Sequence, residues 1–229
     1  FIIIFLINRL TIDFVPLLFN FRLTCQHQIL SAISGVSIYS SKDEYFTPVC
    51  TTEMIAFAQA NCYFEKLNTS LLGLSIDSNS SHLAWMHDIY RMTGIVLPFP
   101  IIADRNGSIA RKYGMISNDI SNTEAVRNVF VIDDKGIVRV ILVYPMNIGR
   151  FVPEIVRIIQ ALQTSDCNNS PIPANWFPGQ PVLQPPPRTF PLLQERFNHL
   201  HENNNGMNWY LAFQEAKHEC LIEKTRDDT

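Results

Sequence analysis

"SLLGLSIDSNSSHLAWMHDIYRM" (residues 70–92) decides the fold class. Its first eight residues read as a buried strand ending at Asp77, and "SSHLAWMHDIYRM" (80–92) sets Leu83, Met86, Ile89 and Tyr90 at helical spacing. A strand that runs into a helix opens a crossover unit. Downstream, "FPIIAD" (99–104) reads as a second short strand and "SIARKYGM" (108–115) as a short helix stopped by Gly114. "RNVFVIDDKGIVRVILVYP" (127–145) carries two β-rich runs around Asp-Asp-Lys-Gly, a hairpin signal. "RFVPEIVRIIQALQ" (150–163) then forms an amphipathic helix with Val156, Ile159 and Leu162 on one side. The alternation is that of an α/β protein with a mixed central sheet flanked by helices.

After Gln163 the composition changes. "TSDCNNSPIPANWFPGQPVLQPPPRTFP" (164–191) is dense in proline and poor in periodicity, which suits an extended arm on a surface. The aromatics of "PLLQERFNHLHENNNGMNWYLAFQEAK" (191–217) supply docking groups. The expected organisation is an atypical N-terminal segment (1–36), a core domain (37–164) and a C-terminal arm and dimerisation region (165–229). The opening "FIIIFLINRLTIDFVPLLFNF" is apolar but interrupted by Arg9, Asp13 and Pro16, short of the roughly 20 uncharged residues of a spanning helix. It lacks the basic start and small-residue cleavage site of a signal peptide and reads as a fragment whose true N-terminus is missing or replaced.

A net charge of −3 and a pI of about 6.1 offer no general basic field, so neither nucleic acid nor an anionic membrane is an expected partner. The five cysteines, at 25, 50, 62, 167 and 220, form no CxxC and no metal-ligand spacing. A reducing compartment follows, cytoplasmic by default with a mitochondrial placement open, and any special cysteine is chemical and not structural. His82 and His87, five apart on a helix, face different ways and read as non-ligands, so no metal is expected. Trp85, Trp176 and Trp209 read as core and arm anchors.

Within "EYFTPVCTTEM" (44–54), Thr47 fits a helix N-cap whose hydroxyl accepts an orphan amide, and Pro48 fits the first helical position. Cys50 then falls in the first turn, where amides and the helix dipole favour a thiolate. The Thr47 hydroxyl can reach that sulfur or an oxygen bound beside it. From position alone, a buried cysteine in a packed helix start stands equally well. Glu53 and Arg150 by themselves read as a solvated pair. Cys62, twelve residues along the same helix, lies about 18 Å from Cys50 by helical rise and reads as core. Cys25 and Cys167 hold no position recognisable as resolving, and Cys220 reads as a stray tail thiol sooner than as one that meets a partner subunit's sulfenic acid.

"FTPVCTTE" (46–53) resembles the active-site segment of the peroxiredoxins, above all the one-cysteine subfamily. "GLSIDSNSSHLAWMHDI", "FPIIAD", "RKYGM", "VRNVFVIDDKGIVR", "YPMNIGR" and "PANWFPGQPV" resemble successive blocks of that subfamily in the same order, over roughly residues 40–215. The resemblance implies a thioredoxin-like fold with Cys50 as the peroxidatic cysteine. It also implies that Thr47 and Arg127 bind thiolate and peroxide, with Glu53 and Arg150 in support. The implied activity is reduction of hydrogen peroxide and organic hydroperoxides through a sulfenic acid, without a cofactor, by an external thiol such as glutathione. The implied assembly is a homodimer in which one subunit's arm crosses the other.

Lys42 and Asp43 stand where the family carries a His-Pro pair, "YSSKDEYF" holds an extra residue, and residues 1–36 do not match, although "SGVSIYS" can supply part of the first core strand. A weakened relative, acting as a binding, holdase-like or redox-sensing protein, is the alternative these departures raise. "ISGVS" lacks the flanking glycine of a Gly-x-Ser-x-Gly lipase motif, and that activity is not expected.

Overall fold

Pro48 opens helix α1 (Pro48–Lys66), placing its missing amide where no intrahelical acceptor exists. Met54, Phe57 and Phe64 are fully buried along it, and α1 packs against strand β2 (Thr69–Ser75). Ser78 caps helix α2 (Asn79–Thr93) by accepting from the Ser81 amide at 3.1 Å, and Gly94 ends it in the left-handed conformation with φ +72°. Strand β3 (Ile101–Ala103) and helix α3 (Ser108–Lys112) follow, then the hairpin β4 (Arg127–Ile132) and β5 (Val138–Tyr144). The computed structural model describes residues 2–7, 47–114, 127–203 and 206–217.

These strands form a five-stranded sheet in the order β3-β2-β1-β4-β5. It is mixed, as expected: β2 and β3 are parallel, β4 and β5 antiparallel. Its central strand is β1 (Ile2–Ile7), antiparallel to β2 and parallel to β4. A strand leading directly into α1 and crossing over to β2 would run parallel to β2. β1 runs the other way, so the opening segment, expected to be atypical and unmatched to the family, supplies the central strand in the direction opposite to such a crossover. The "SGVSIYS" stretch assigned to that position lies outside the described residues, as do Lys42 and Asp43.

Side chains alternate along β4, so Phe130 and Ile132 join Leu72, Leu74 and Ala110 in a cluster on the α3 side, while Arg127 shares the opposite face with Val129 and Val131. On that face Arg127 meets α1. The buried stripe of α2 is His82, Trp85 and Ile89, not the expected Leu83 and Tyr90, which are exposed. Two polar anchors set this rotation: His82 hydrogen-bonds Ser75 of β2, and Trp85 hydrogen-bonds Thr51 of α1.

The chain divides into two compact units, Phe1–Val152 and Pro153–Thr229. In the second, helix α4 (Val152–Asn168) buries Ile155 and Ile159, whereas Val156 and Leu162 are half-buried. The expected extended arm contains more regular structure than its proline content indicated. Helix α5 (Phe190–Asn203) and strands β6 (Val182–Leu183), β7 (Gly206–Asn208) and β8 (Leu211–Gln214) lie in it, the strands ordered β6-β8-β7. Trp176, fully buried, donates its indole N–H to the Gln180 carbonyl at 3.0 Å. Short antiparallel pairings satisfy the backbone that proline leaves unable to form a helix. Among the described residues no helix is long and apolar enough to cross a membrane.

Candidate active site

Cys50 is buried in the first turn of α1. From the first position of β4, Arg127 Nη1 donates to Cys50 Sγ at 3.3 Å and to Glu53 Oε2 at 2.6 Å. The same arginine donates through Nη2 to the Met146 carbonyl at 2.8 Å, so the fork is held at both ends. Arg150 donates through Nη1 to Glu53 Oε2 at 2.7 Å and through its backbone amide to Glu53 Oε1 at 2.8 Å. Its Nη2 reaches the Asn128 carbonyl at 2.9 Å. Glu53, Arg127 and Arg150 are all buried, so Glu53 and Arg150, which read as a solvated pair only when taken by themselves, belong to an interior charge cluster with Arg127.

The loop after β5 runs alongside α1 here: at Gly149 an added Cβ would make ordinary van der Waals contact, 3.6 Å from Val49 Cγ1 and 3.9 Å from Glu53 Cγ. The next residue lays its amide directly on the Glu53 carboxylate. Burial penalises the Arg127 charge, but the hydrogen bond it donates to Cys50 and the Glu53 carboxylate outweigh it and hold its pKa above the ordinary value. At Arg150 burial wins, reinforced by Arg127 and opposed by Glu53, and the pKa falls to about 10. Both guanidiniums remain charged at neutral pH. Two cations and one carboxylate leave one positive charge beside the sulfur, which a Cys50 thiolate would balance.

Thr47 occupies the N-cap with φ −71° and ψ 133°, yet its side chain makes no capping hydrogen bond. This corrects the expected capping role. Among the described residues its buried Oγ1 has no partner, which leaves a donor and acceptor open beside the cysteine turn. The helix start is instead tied by Thr51, whose amide and hydroxyl both donate to the Thr47 carbonyl at 3.0 Å. Thr51 and Asn128 were missed in the sequence. Thr51 directly follows the cysteine, but a backbone-directed hydroxyl leaves no pattern, and Asn128 acts through its carbonyl, which every residue carries.

Cys62 is exposed, not core: it sits on the side of α1 opposite the buried Phe57 and Phe64. Cys167 is disulfide-bonded, which corrects the expectation that the cysteines are purely chemical. Cys25 and Cys220 lie outside the described residues. His82 Nε2 lies 2.7 Å from Ser75 Oγ, while that hydroxyl donates to Asp77 Oδ2 at 2.8 Å. The imidazole therefore serves as donor through Nε2, while its buried Nδ1 has no partner among the described residues.

The family model described as AhpC/TSA matches residues 20–141, and that for the C-terminal domain of 1-Cys peroxiredoxin matches residues 161–198. A protein named peroxiredoxin 2 from Caldanaerobacter subterraneus is 54% identical over 171 residues, covering 75% of this chain and 77% of its own length. Among solved structures, a yeast mitochondrial 1-Cys peroxiredoxin, studied for thiol resolution through glutathione and thioredoxin systems, superposes with a TM-score of 0.64 at 35% identity. It covers 75% of this chain and 82% of its own. A cysteine-to-serine variant of peroxiredoxin 6 from Arenicola marina gives a TM-score of 0.64 at 25% identity, over 95% of this chain and 86% of its own. With a thioredoxin-like core, a buried helix-start cysteine and both family models in sequence order, the chain belongs to the peroxiredoxins of the AhpC/TSA family and is a thiol-dependent peroxidase of the one-cysteine type.

Proposed function

We propose that Cys50 is the peroxidatic cysteine, that Thr47 and Arg127 bind and polarise the peroxide, and that Glu53 and Arg150 position Arg127. The observation that carries this reading is the junction at Arg127 Nη1, which donates at once to the Cys50 sulfur and to Glu53. The thiolate attacks the terminal oxygen of hydrogen peroxide or an organic hydroperoxide. An S–O bond forms as the O–O bond breaks, sulfur gives up two electrons, and the leaving oxygen takes a proton to become water or an alcohol. Negative charge moves from sulfur to the leaving oxygen during this step. A guanidinium already fixed beside the sulfur and an open Thr47 hydroxyl suit both ends of that shift without reorganisation.

Two equivalents of an external thiol, for which glutathione is our candidate, reduce the sulfenic acid to Cys50 with release of a disulfide and water. Cys62, fixed on the same helix as Cys50 and facing away, is unsuited to resolve it. The protein acts as a homodimer in this reading. β5 is an edge strand of the sheet, and Ile141 and Val143 are exposed along it, an apolar edge that a second copy would cover. The weakened-relative alternative rests on Lys42 and Asp43, on the extra residue in "YSSKDEYF" and on the unmatched residues 1–36, of which only 2–7 are described, and the similarity to peroxiredoxins does not favour it.

Single-turnover consumption of hydrogen peroxide, followed by the mass of Cys50, tests the assignment. Rapid oxidation should vanish in Cys50→Ser. A wild-type rate no better than that of a free thiol, in folded protein, would refute it.

A further inference from the structure

The hydroxyl of Thr47 is left open for substrate, so something other than a capping bond must orient the residue. Its carbonyl accepts two hydrogen bonds, from the amide and from the hydroxyl of Thr51, both at 3.0 Å. A threonine bonding the carbonyl four residues back is ordinary in helices. What is not ordinary is the second partner: Trp85, from α2 and 34 residues away in sequence, donates its indole N–H to the same Thr51 oxygen at 3.0 Å. An indole nitrogen can only donate, so the Thr51 oxygen must accept there. Its single proton is thereby directed at the Thr47 carbonyl.

Trp85 is itself buried, and its N–H would be costly to leave unpaired, so the chain from Trp85 to Thr51 to Thr47 is locked at its far end. Fixing the Thr47 carbonyl fixes its ψ, which sets the direction of the Cα–Cβ bond and hence where Oγ1 can point. None of the three hydrogen bonds of this relay ends on Cys50 Sγ, Glu53 or either arginine. The relay is separate from the charge cluster.

We propose that Thr51 and Trp85 are positioning residues for the Thr47 hydroxyl, aligning it for the peroxide without acting on the thiolate. This rests on the peroxide-binding role of Thr47 proposed above. The test compares two reactions of Cys50 across pH: oxidation by hydrogen peroxide, which needs Thr47, and alkylation by iodoacetamide, which needs only an accessible thiolate. In Thr51→Val and in Trp85→Phe the peroxide rate should fall roughly three- to tenfold while the alkylation rate and its pH profile stay as in wild type. Thr51→Ser, which restores the hydroxyl, should restore the peroxide rate. Thr47→Val should cost less in the Thr51→Val background than in wild type, because the two changes break one unit.

Equal loss of both reactions in Trp85→Phe and Thr51→Val, or no rescue by Thr51→Ser, would reduce the relay to general support of the helix and overturn the proposal. A peroxide rate unchanged in Thr51→Val, with Thr47→Val slow, would overturn the relay alone. A peroxide rate unchanged in Thr47→Val would remove the substrate role of Thr47, and this inference with it. Should Thr51→Val not fold, Trp85→Phe and Thr51→Ser carry the same comparison.

Discussion

Glu53 and Glu154 each bind arginine, and the two sites differ in almost everything else. Glu53 is 2% exposed and takes Arg127 and Arg150 together, with Oε2 shared at 2.6 and 2.7 Å. Glu154 is 39% exposed and, among the described residues, holds Arg157 alone, three residues along α4, in a two-bond fork. The second arrangement is a surface pair that water screens. The first removes three charges from water and leaves its net positive charge facing a sulfur, a poor way to gain stability and a good way to hold an anion. Chemical likeness between ion pairs thus says little. Burial and the unbalanced charge separate a site from a decoration.

The sharpest way to break this contrast is Glu53→Ala. Without the carboxylate two buried guanidiniums face each other, and loss of one partner from such a cluster costs on the order of 3–5 kcal/mol. Urea denaturation should show that loss, and single-turnover oxidation of the residual folded protein should slow because Arg127 loses its anchor at Nη1. A cost under about 1 kcal/mol would mean that the arginines escape to water, and the interior cluster would not be the rigid frame inferred for the site.

Much of the fold was legible because its signals are local. The strand at 69–75, the capped helix from Asn79, the hairpin at 127–144 and the helix from Val152 each carry their own periodicity and punctuation. Ile2–Ile7 was not legible, since an all-apolar run fits a sheet centre covered on both sides but encodes neither partner nor direction. The buried face of α2 was misread for a related reason. His82 and Trp85 are drawn inward by hydrogen bonds to Ser75 and Thr51, and a hydrophobicity pattern does not count such bonds. Of the candidate site, Cys50 and Thr47 were candidates already from their places at a helix start, with a packed cysteine standing equally well, whereas Arg127 and the supporting Glu53 and Arg150 were found through family resemblance. Their positions 50, 127 and 150 are too distant in sequence for spacing to unite them. What sequence could not supply was geometry: that Glu53 bridges both arginines, and that Thr47 leaves its hydroxyl open.

His82 sharpens the contrast from a third direction, as a buried group that meets burial by staying neutral. Burial lowers its pKa from the usual 6.5, and nearby Asp77 only partly opposes this. The unfolded chain therefore binds a proton near pH 6.5 while the folded chain does not until lower pH, so the unfolded state holds more protons in that window. Stability from this group is complete above pH 6.5 and declines as pH falls toward the folded pKa, by at most about 1.4 kcal/mol per pH unit. In His82→Gln the amide nitrogen can still donate to Ser75 Oγ but does not titrate. Urea midpoints between pH 7 and 5 should fall less steeply in this variant than in wild type; equal slopes would assign the acid sensitivity elsewhere.

The smallest effect belongs to Glu154. Its pKa is lowered, first by the Arg157 hydrogen bond, but at 39% exposure solvent screening leaves little of that as stability. Glu154→Ala should cost under about 0.5 kcal/mol, and less still in high salt. Arg157→Ala should cost more than its partner does, because Arg157 Nη1 also donates to the carbonyl of Trp176, the fully buried anchor of the second unit, at 3.0 Å. Removing the carboxylate leaves that bond in place, whereas removing the arginine unties the backbone at Trp176. If the two variants lose the same amount, the ion pair is the whole contribution and the carbonyl bond is idle. If only Arg157→Ala is affected, the surface salt bridge contributes through its geometry and hardly at all through its charge, which is the reverse of what holds around Glu53.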